Sequence, residues 1–398
     1  MSDSRPTRIL VWMCVLIAVN QLGFGAIVPV IALYARSFGV PQSAIGLAIA
    51  VYGLARFLVA VPVGKLTDVL GRRAGLALGG LVTAAGNLLC AVAPDFGTFV
   101  AARFVAGGGA ALVLIAGQIV LADISTPARR GRVMAIYQGV FLFAVGVGPY
   151  PGGLLAERLG LAAPFVVYAF AGLAASVVAW LQIPDTRAAG VSAAEAAAAA
   201  PFAAQIRLLA SHPGFLLVSL VGFMNAVVRT GALFSIVPVL ARDRLSLGTD
   251  RIGFGLALSS VVGLALAYPA GVLVDRYGRK TVIVPATAVA GLAMLFFLAA
   301  TSYAWFLAGC VVWAVAVGVS GAAPAAYAAD VAPRGMNAAA MSTYRMLSDI
   351  GYVVGPIALG ILADALSADA ALTTAAALMV VVAGLFARLA PESYRSRR

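Results

Sequence analysis

The sequence predicts an all-α membrane protein of about twelve transmembrane helices, arranged as two pseudo-symmetric six-helix bundles. Three observations predict it: an apolar surplus, apolar runs of spanning length, and an internal repeat at a fixed offset. Of 398 residues, 63% are hydrophobic and 11% charged. Soluble domains are about half apolar and about a quarter charged. With a mean hydropathy of +1.02, a soluble fold would expose large apolar patches and aggregate. A soluble enzyme, a disordered chain and a disulfide-stapled module are therefore excluded. Cys14, Cys90 and Cys310 lie far apart in apolar runs, with no metal-like spacing, and read as packing residues.

Apolar runs of spanning length cover residues 9–34, 43–67, 74–93, 96–122, 131–157 and 161–183. A second set covers 214–241, 252–275, 282–301, 304–329, 336–363 and 371–390. The first run is too long for a signal peptide and many spans follow it, so it is expected to be retained. Between the sets, Pro184-Asp-Thr-Arg187 ends a helix and an alanine-rich stretch leads to Pro201, His212 and Pro213. The expected division is an N-terminal bundle over 1–183, a cytoplasmic linker over 184–212 and a C-terminal bundle with a short tail over 213–398.

The two sets are related. Gly64-Lys-Leu-Thr-Asp68-Val-Leu-Gly71-Arg72-Arg73 returns 207 positions later as Gly271-Val-Leu-Val-Asp275-Arg-Tyr-Gly278-Arg279-Lys280. Gly148-Pro149 returns as Gly355-Pro356, and Asp123 as Asp330, at the same offset. Ile27-Val-Pro29-Val30 returns as Ile236-Val-Pro238-Val239 at an offset of 209. One offset held across separate helix ends marks a tandem duplication in the same orientation. Such parallel repeats place two bundles about an axis along the membrane normal, with a site expected between them.

The charge follows topology. There are 27 Lys+Arg against 15 Asp+Glu, a net of +12. With the N-terminus inside, eighteen basic residues fall on the cytoplasmic side, and five (Arg36, Arg158, Arg242, Arg244, Arg251) on the other. This excess predicts cytoplasmic N- and C-termini, and makes nucleic acid an unneeded explanation for the charge. Four basic residues remain inside predicted helices: Arg56, Arg103, Arg229 and Arg345.

At this point the residues resemble a known family. Gly64, Asp68, Gly71 and Arg72, with their second-half copies Gly271, Asp275, Gly278 and Arg279, resemble motif A of the major facilitator superfamily. The first copy departs from that pattern at Val69. Arg103-Phe-Val-Ala-Gly107 resembles motif B in the fourth helix. Gly148-Pro149-Tyr-Pro-Gly152-Gly153 resembles the end of motif C in the fifth, with Ala144 where an earlier glycine is usual. The overall pattern is most similar to the twelve-helix drug:proton antiporter branch. The resemblance implies the major facilitator fold, alternating access and an inner-membrane location. It also implies a cytoplasmic gate of Asp68, Arg72 and Asp123, repeated by Asp275, Arg279 and Asp330. Gly148, Pro149, Gly152, Gly153, Gly355 and Pro356 supply small residues and missing donors for close helix approach and bending.

Ionisable residues inside a membrane are functional candidates, because each is costly in hydrocarbon. Asn225 and Arg229 lie one turn apart in the seventh helix. The offset of 209 matches Arg229 to Asn20 in the first helix, and the two are expected to face each other. With Arg56 and Arg103 they are the candidate substrate-binding residues. Arg345 and Asp349 sit four apart in the eleventh helix, within reach of one salt bridge. Asp349, the one carboxylate placed deep in a predicted helix, is the candidate proton carrier. Related antiporters usually carry an acidic residue in the first helix, where this chain has Asn20 and Gln21.

The expected activity is proton-coupled efflux of a small amphipathic or drug-like compound. The alternatives are an organic-anion exchanger or uptake transporter using the arginines, and a lipid flippase. The expected partners are a small-molecule substrate, a proton or other coupling ion and the lipid bilayer, with the chain acting as a monomer. A membrane enzyme is disfavoured, since no catalytic set or metal spacing occurs within the helices. No metal and no cofactor is implied. The glycine run 107–109 lacks the Gly-Lys-Ser/Thr of a phosphate loop.

Overall fold

The computed structural model describes residues 4–125, 127–185, 202–321, 323–333 and 336–392. Among the described residues there are helices, turns and loops and no strand. Twelve helical stretches are long and apolar enough to cross a membrane. The chain is a multi-pass membrane protein. The linker expected over 184–212 falls largely on residues 186–201, outside the described residues.

In chain order the helices of the first half are α1 (Ser4–Ile27), α2 (Ile31–Arg36), α3 (Gln42–Leu70), α4 (Arg72–Ala91), α5 (Phe96–Ile124), α6 (Pro127–Val147), α7 (Pro149–Leu159) and α8 (Ala163–Gln182). After the short α9 (Phe202–Ala210) come α10 (Pro213–Val227), a π-helical segment (Val228–Ile236), α11 (Val237–Leu245), α12 (Thr249–Tyr277), α13 (Arg279–Leu298), α14 (Tyr303–Ser320), α15 (Ala323–Asp330), α16 (Asn337–Ala365) and α17 (Ala368–Leu389).

The chain forms two compact units. The first holds residues 1–40, 47–193 and 248–257, and the second 41–46, 194–247 and 258–398. The start of α3 thus belongs with the second unit and the start of α12 with the first. In the first unit a core of Ile9, Met13, Leu16, Ile17, Leu76, Val113, Val120 and Tyr137 joins α1, α4, α5 and α6. Near the α4–α5 turn, Tyr34, Phe38, Phe96, Phe99 and Phe165 pack ring against ring. The Tyr34 hydroxyl donates to the carbonyls of Cys90 and Ala91 at the end of α4. In the second unit α13 packs on α14 and α17, and α10 on α16. Side chains such as Phe170, Leu181 and Val381 are exposed, as lipid-facing positions should be.

Four predicted helices differ from the observed ones, each for a local reason. The run 9–34 is interrupted at residues 28–30, because Pro29 has no N–H and its ring crowds the carbonyl four residues back. At the matching Pro238 the chain keeps its helical path by widening into the π segment before α11. The run 131–157 divides into α6 and α7 at Gly148, just before Pro149. Its counterpart α16 continues through Pro356. The run 304–329 is interrupted at Gly321, whose φ of +43° favours glycine.

The duplication extends to helix caps. Gly71 and Gly278 precede α4 and α13 with the same φ of +96°. Asp95 and Ser302, also 207 apart, accept from backbone N–H groups three residues on, at the starts of α5 and α14. Asp95 takes both the N–H and the hydroxyl of Thr98, which holds its carboxyl below the usual range.

Candidate functional site

The paired motifs build matching clamps. At the start of α4, Arg72 Nε donates to Asp123 Oδ2 at 3.1 Å and Nη1 to the Thr67 carbonyl at 3.3 Å. At the start of α13, Arg279 Nε donates to Asp330 Oδ2 at 3.2 Å and Nη1 to the Val274 carbonyl at 3.4 Å. All three partners are shifted by 207. Each arginine ties the start of one helix to the end of another and satisfies a terminal carbonyl. The first clamp is the drier, with side chains 10% and 8% exposed against 19% and 36%. The Arg72 backbone N–H also donates to Asp185. The next basic residue anchors differently in each half. Arg73 lies 4.5 Å over the Trp180 ring, and Lys280 Nζ donates to the Ala390 carbonyl. The expected third members of the clamps, Asp68 and Asp275, and the glycine Gly64 have side-chain positions outside the described residues. At Gly271 no neighbour requires glycine, since a Cβ there would meet open space.

The motif C glycines lie where backbones touch. A Cβ on Gly148 would come 2.7 Å from the Gly25 Cα, and one on Gly152 would overlap the Ala26 carbonyl. Gly153 is pressed against the Thr249 carbonyl. In the second unit Gly355 approaches Val227 in the same way, and the Pro356 carbonyl lies against Gly46. Only glycine permits helices to approach so closely.

Of the candidate binding residues, Asn20, Arg56 and Arg103 lie in the first unit and Asn225 and Arg229 in the second. Asn20 is 0% exposed. Its amide nitrogen donates to Gln21 at 3.2 Å, and its oxygen accepts from the Tyr168 hydroxyl at 3.3 Å. Tyr168 is in turn 3.5 Å from the Tyr52 hydroxyl. Arg229, at the matching position, is exposed and lies 5.5 Å from the Phe234 ring. Asn20 is thus engaged in a buried network, whereas Arg229 in the π segment is exposed. Asn225 Nδ2 donates to the Val221 carbonyl of its own helix.

Arg103 is 2% exposed. Its Nε donates to the Ala48 carbonyl at 3.3 Å, and its guanidinium lies 4.4 Å over the Tyr52 ring. Its Nη1 is buried without a hydrogen-bond partner. Arg56, one turn beyond Tyr52 on α3, is half-buried. Among the described residues neither it nor Arg103 is ion-paired with a carboxylate.

The salt bridge expected on α16 is corrected. Arg345 is exposed and Asp349 half-buried, and no ion pair joins them among the described residues. A spacing of four permits contact, but two accessible side chains gain little from pairing and lose rotamer freedom.

Sequence reasoning missed a second pair of matched contacts. Glu157 near the end of α7 accepts the Thr249 N–H at 2.8 Å and its hydroxyl at 2.9 Å. Asp364 near the end of α16 accepts the N–H groups of Gln42 and Ser43, both at 2.8 Å. Each carboxylate caps the start of a helix, α12 or α3, whose first amides have no intrahelical partners. Glu157 and Asp364 are 207 apart, as are Gln42 and Thr249. That offset is the signal that could have found them. Tyr52, Tyr168 and the π segment left no such trace.

Comparison with known proteins agrees with these features. A sequence model described as Major Facilitator Superfamily matches residues 13–249 and 218–398. An uncharacterized MFS-type transporter, MJ1560 of Methanocaldococcus jannaschii, is 24% identical over 377 residues, 94% of this chain and 95% of its own. Quinolone resistance protein NorA of Staphylococcus aureus is 25% identical over 166 residues, 42% of each chain. Among solved structures, a bacterial homolog of the human lysosomal transporter Spinster, inward-facing and occupied, superposes with a TM-score of 0.80 at 17% identity, covering 97% of both chains. The human organic anion transporter MFSD10 gives 0.65 at 18% identity, covering 96% of this chain and 99% of its own.

Proposed function

Because the chain belongs to the Major Facilitator Superfamily, whose members are transporters and not enzymes, we propose that it is a secondary active transporter that couples proton entry to efflux of a small amphipathic compound by alternating access. The observation that carries the transport reading is the family match along the chain, joined to the two matched arginine–carboxylate clamps. The partial similarity to a quinolone resistance protein and the close glycine contacts at Gly148 and Gly152 support efflux. We place the protein in the inner membrane with both termini cytoplasmic, as the basic-residue asymmetry favours. It acts as a monomer, with a proton as coupling ion and no bound cofactor.

Asp349 is the proposed proton carrier. It is half-buried near the middle of the span Ala339–Ala365, whereas Asp123, Glu157, Asp330 and Asp364 sit at helix ends engaged with partners. Exposed Arg229 with Asn225, and Arg56, are the proposed contacts for polar substrate groups. In proteoliposomes with an imposed pH gradient, Asp349→Asn is expected to lose gradient-driven flux of ethidium or benzoate at least tenfold, with unchanged thermal stability. Undiminished flux in that variant would remove Asp349 from the coupling role.

A further inference from the structure

We infer that Arg103 and Arg56 form the acid-binding part of this transporter, and that its cargo carries a carboxylate on an apolar or aromatic body. This deepens the transport reading above and rests on it. The argument begins with an uncompensated charge. Arg103 is an arginine buried to 98% in a membrane-spanning helix. It has one backbone acceptor, Ala48, and one aromatic face, Tyr52. A cation over a ring recovers only a small part of what removing a charge from water costs. The buried Nη1, with no acceptor, is the unfilled position.

The surroundings specify what would fill it. Arg56 lies one turn beyond Tyr52 on α3, and Tyr52 is the ring that the Arg103 guanidinium covers. Two cations therefore share the neighbourhood of Tyr52, and among the described residues neither is ion-paired with a carboxylate. The polar groups nearby, Tyr168, Tyr52, Asn20 and Gln21, are already joined to one another, and none supplies a negative charge. A guanidinium offers paired N–H donors to a carboxylate. The rest of the wall is aromatic: Phe24 stacks on Tyr52 at 5.3 Å, and Tyr52 packs with Ala106 and Ala110. Such a wall suits the apolar part of an organic acid better than a bare inorganic ion. Because Arg103 is closed off while Arg56 is half-open, Arg56 meets the acid first and Arg103 receives it when Tyr52 moves aside.

Equilibrium binding tests this without requiring flux. The purified full chain in phosphatidylcholine nanodiscs is titrated with benzoate, 2-naphthoate and decanoate, and with their primary amides. At least one acid is expected to bind and raise the melting temperature, with its amide at least tenfold weaker. Arg56→Gln and Arg103→Gln should each weaken the acid at least tenfold and leave the amide unchanged. If Arg103→Gln does not fold, Arg103→Lys, which keeps the charge but not the paired donors, together with Arg56→Gln decides the matter. Equal binding of acids and amides, or full acid affinity in the arginine variants, overturns the assignment. So does loss of acid binding when phosphatidylglycerol is added, which would give the site to lipid headgroups. Cation flux driven by a pH gradient alongside any of these outcomes would leave the transporter reading standing and remove only the acid site.

Discussion

Gly152 has no room for one further carbon, because the Ala26 carbonyl occupies the place of its missing Cβ. Gly384, also helical, faces open space. The two glycines should therefore respond oppositely to a side chain. Gly152→Val is expected to destabilise the protein by about 1–3 kcal/mol through overpacking. Gly384→Ala should leave it unchanged or raise it by up to about 1 kcal/mol through helix propensity. Thermal unfolding in detergent reads both, and equal responses would count against backbone contact at Gly152. At this scale the sequence was a partial guide. It placed Gly148 and Gly152 at a packing contact because small residues clustered beside a proline. It did not show that Asn20 is consumed by Gln21 and Tyr168. Nor did it show that Arg103 has a single carbonyl acceptor, since both outcomes depend on neighbours distant in the chain.

Elements repeat more faithfully than residues. The clamps at Arg72 and Arg279 share geometry to within a few tenths of an ångström, although their surroundings differ in wetness. That difference predicts unequal costs. Asp123→Asn removes a counter-charge from a buried guanidinium and is expected to cost about 3 kcal/mol. Asp330→Asn, where the carboxylate side chain is 36% exposed, should cost about 1 kcal/mol or less. Melting of the two variants under one set of conditions compares them, and an equal loss would mean that burial does not govern the clamps. Element existence was legible because apolar runs of spanning length declare themselves. Element interruption was not. Pro29 and Pro238 occupy matched positions, yet one breaks its helix and the other follows a π segment. A proline removes a donor in both cases, and packing decides how the chain absorbs it.

For the whole molecule, the telling feature is that the starts of α3 and α12 leave the units that hold the rest of their helices. Asp364 and Glu157 are what hold them there. Hydrogen exchange should separate the two caps. Asp364→Ala is expected to speed deuterium uptake at least tenfold in residues 41–46 and leave 248–253 unchanged, and Glu157→Ala to do the reverse. Parallel acceleration of both segments in both variants would mean that the caps are not independent. The duplication itself was plain in the sequence from Gly71, Asp123 and Gly148 and their copies. The exchange of helix starts was not, because it joins residues 322 and 92 positions apart largely through backbone amides, which carry no side-chain signature.

The matched clamps have a consequence for how the chain could be rebuilt. In both clamps an arginine reaches a backbone carbonyl five residues back and a carboxylate on another helix. Replacing Gly64–Arg73 by the ten residues of Gly271–Lys280 therefore brings in an arginine at the same site, with Asp123 still waiting for it. What the graft cannot supply is the flat cation that Arg73 lays on Trp180, since a lysine arrives in its place and lysine stacks less well. The two ten-residue segments thus share the clamp arginine and differ in what their last residue holds: a ring at Arg73, a carbonyl at Lys280.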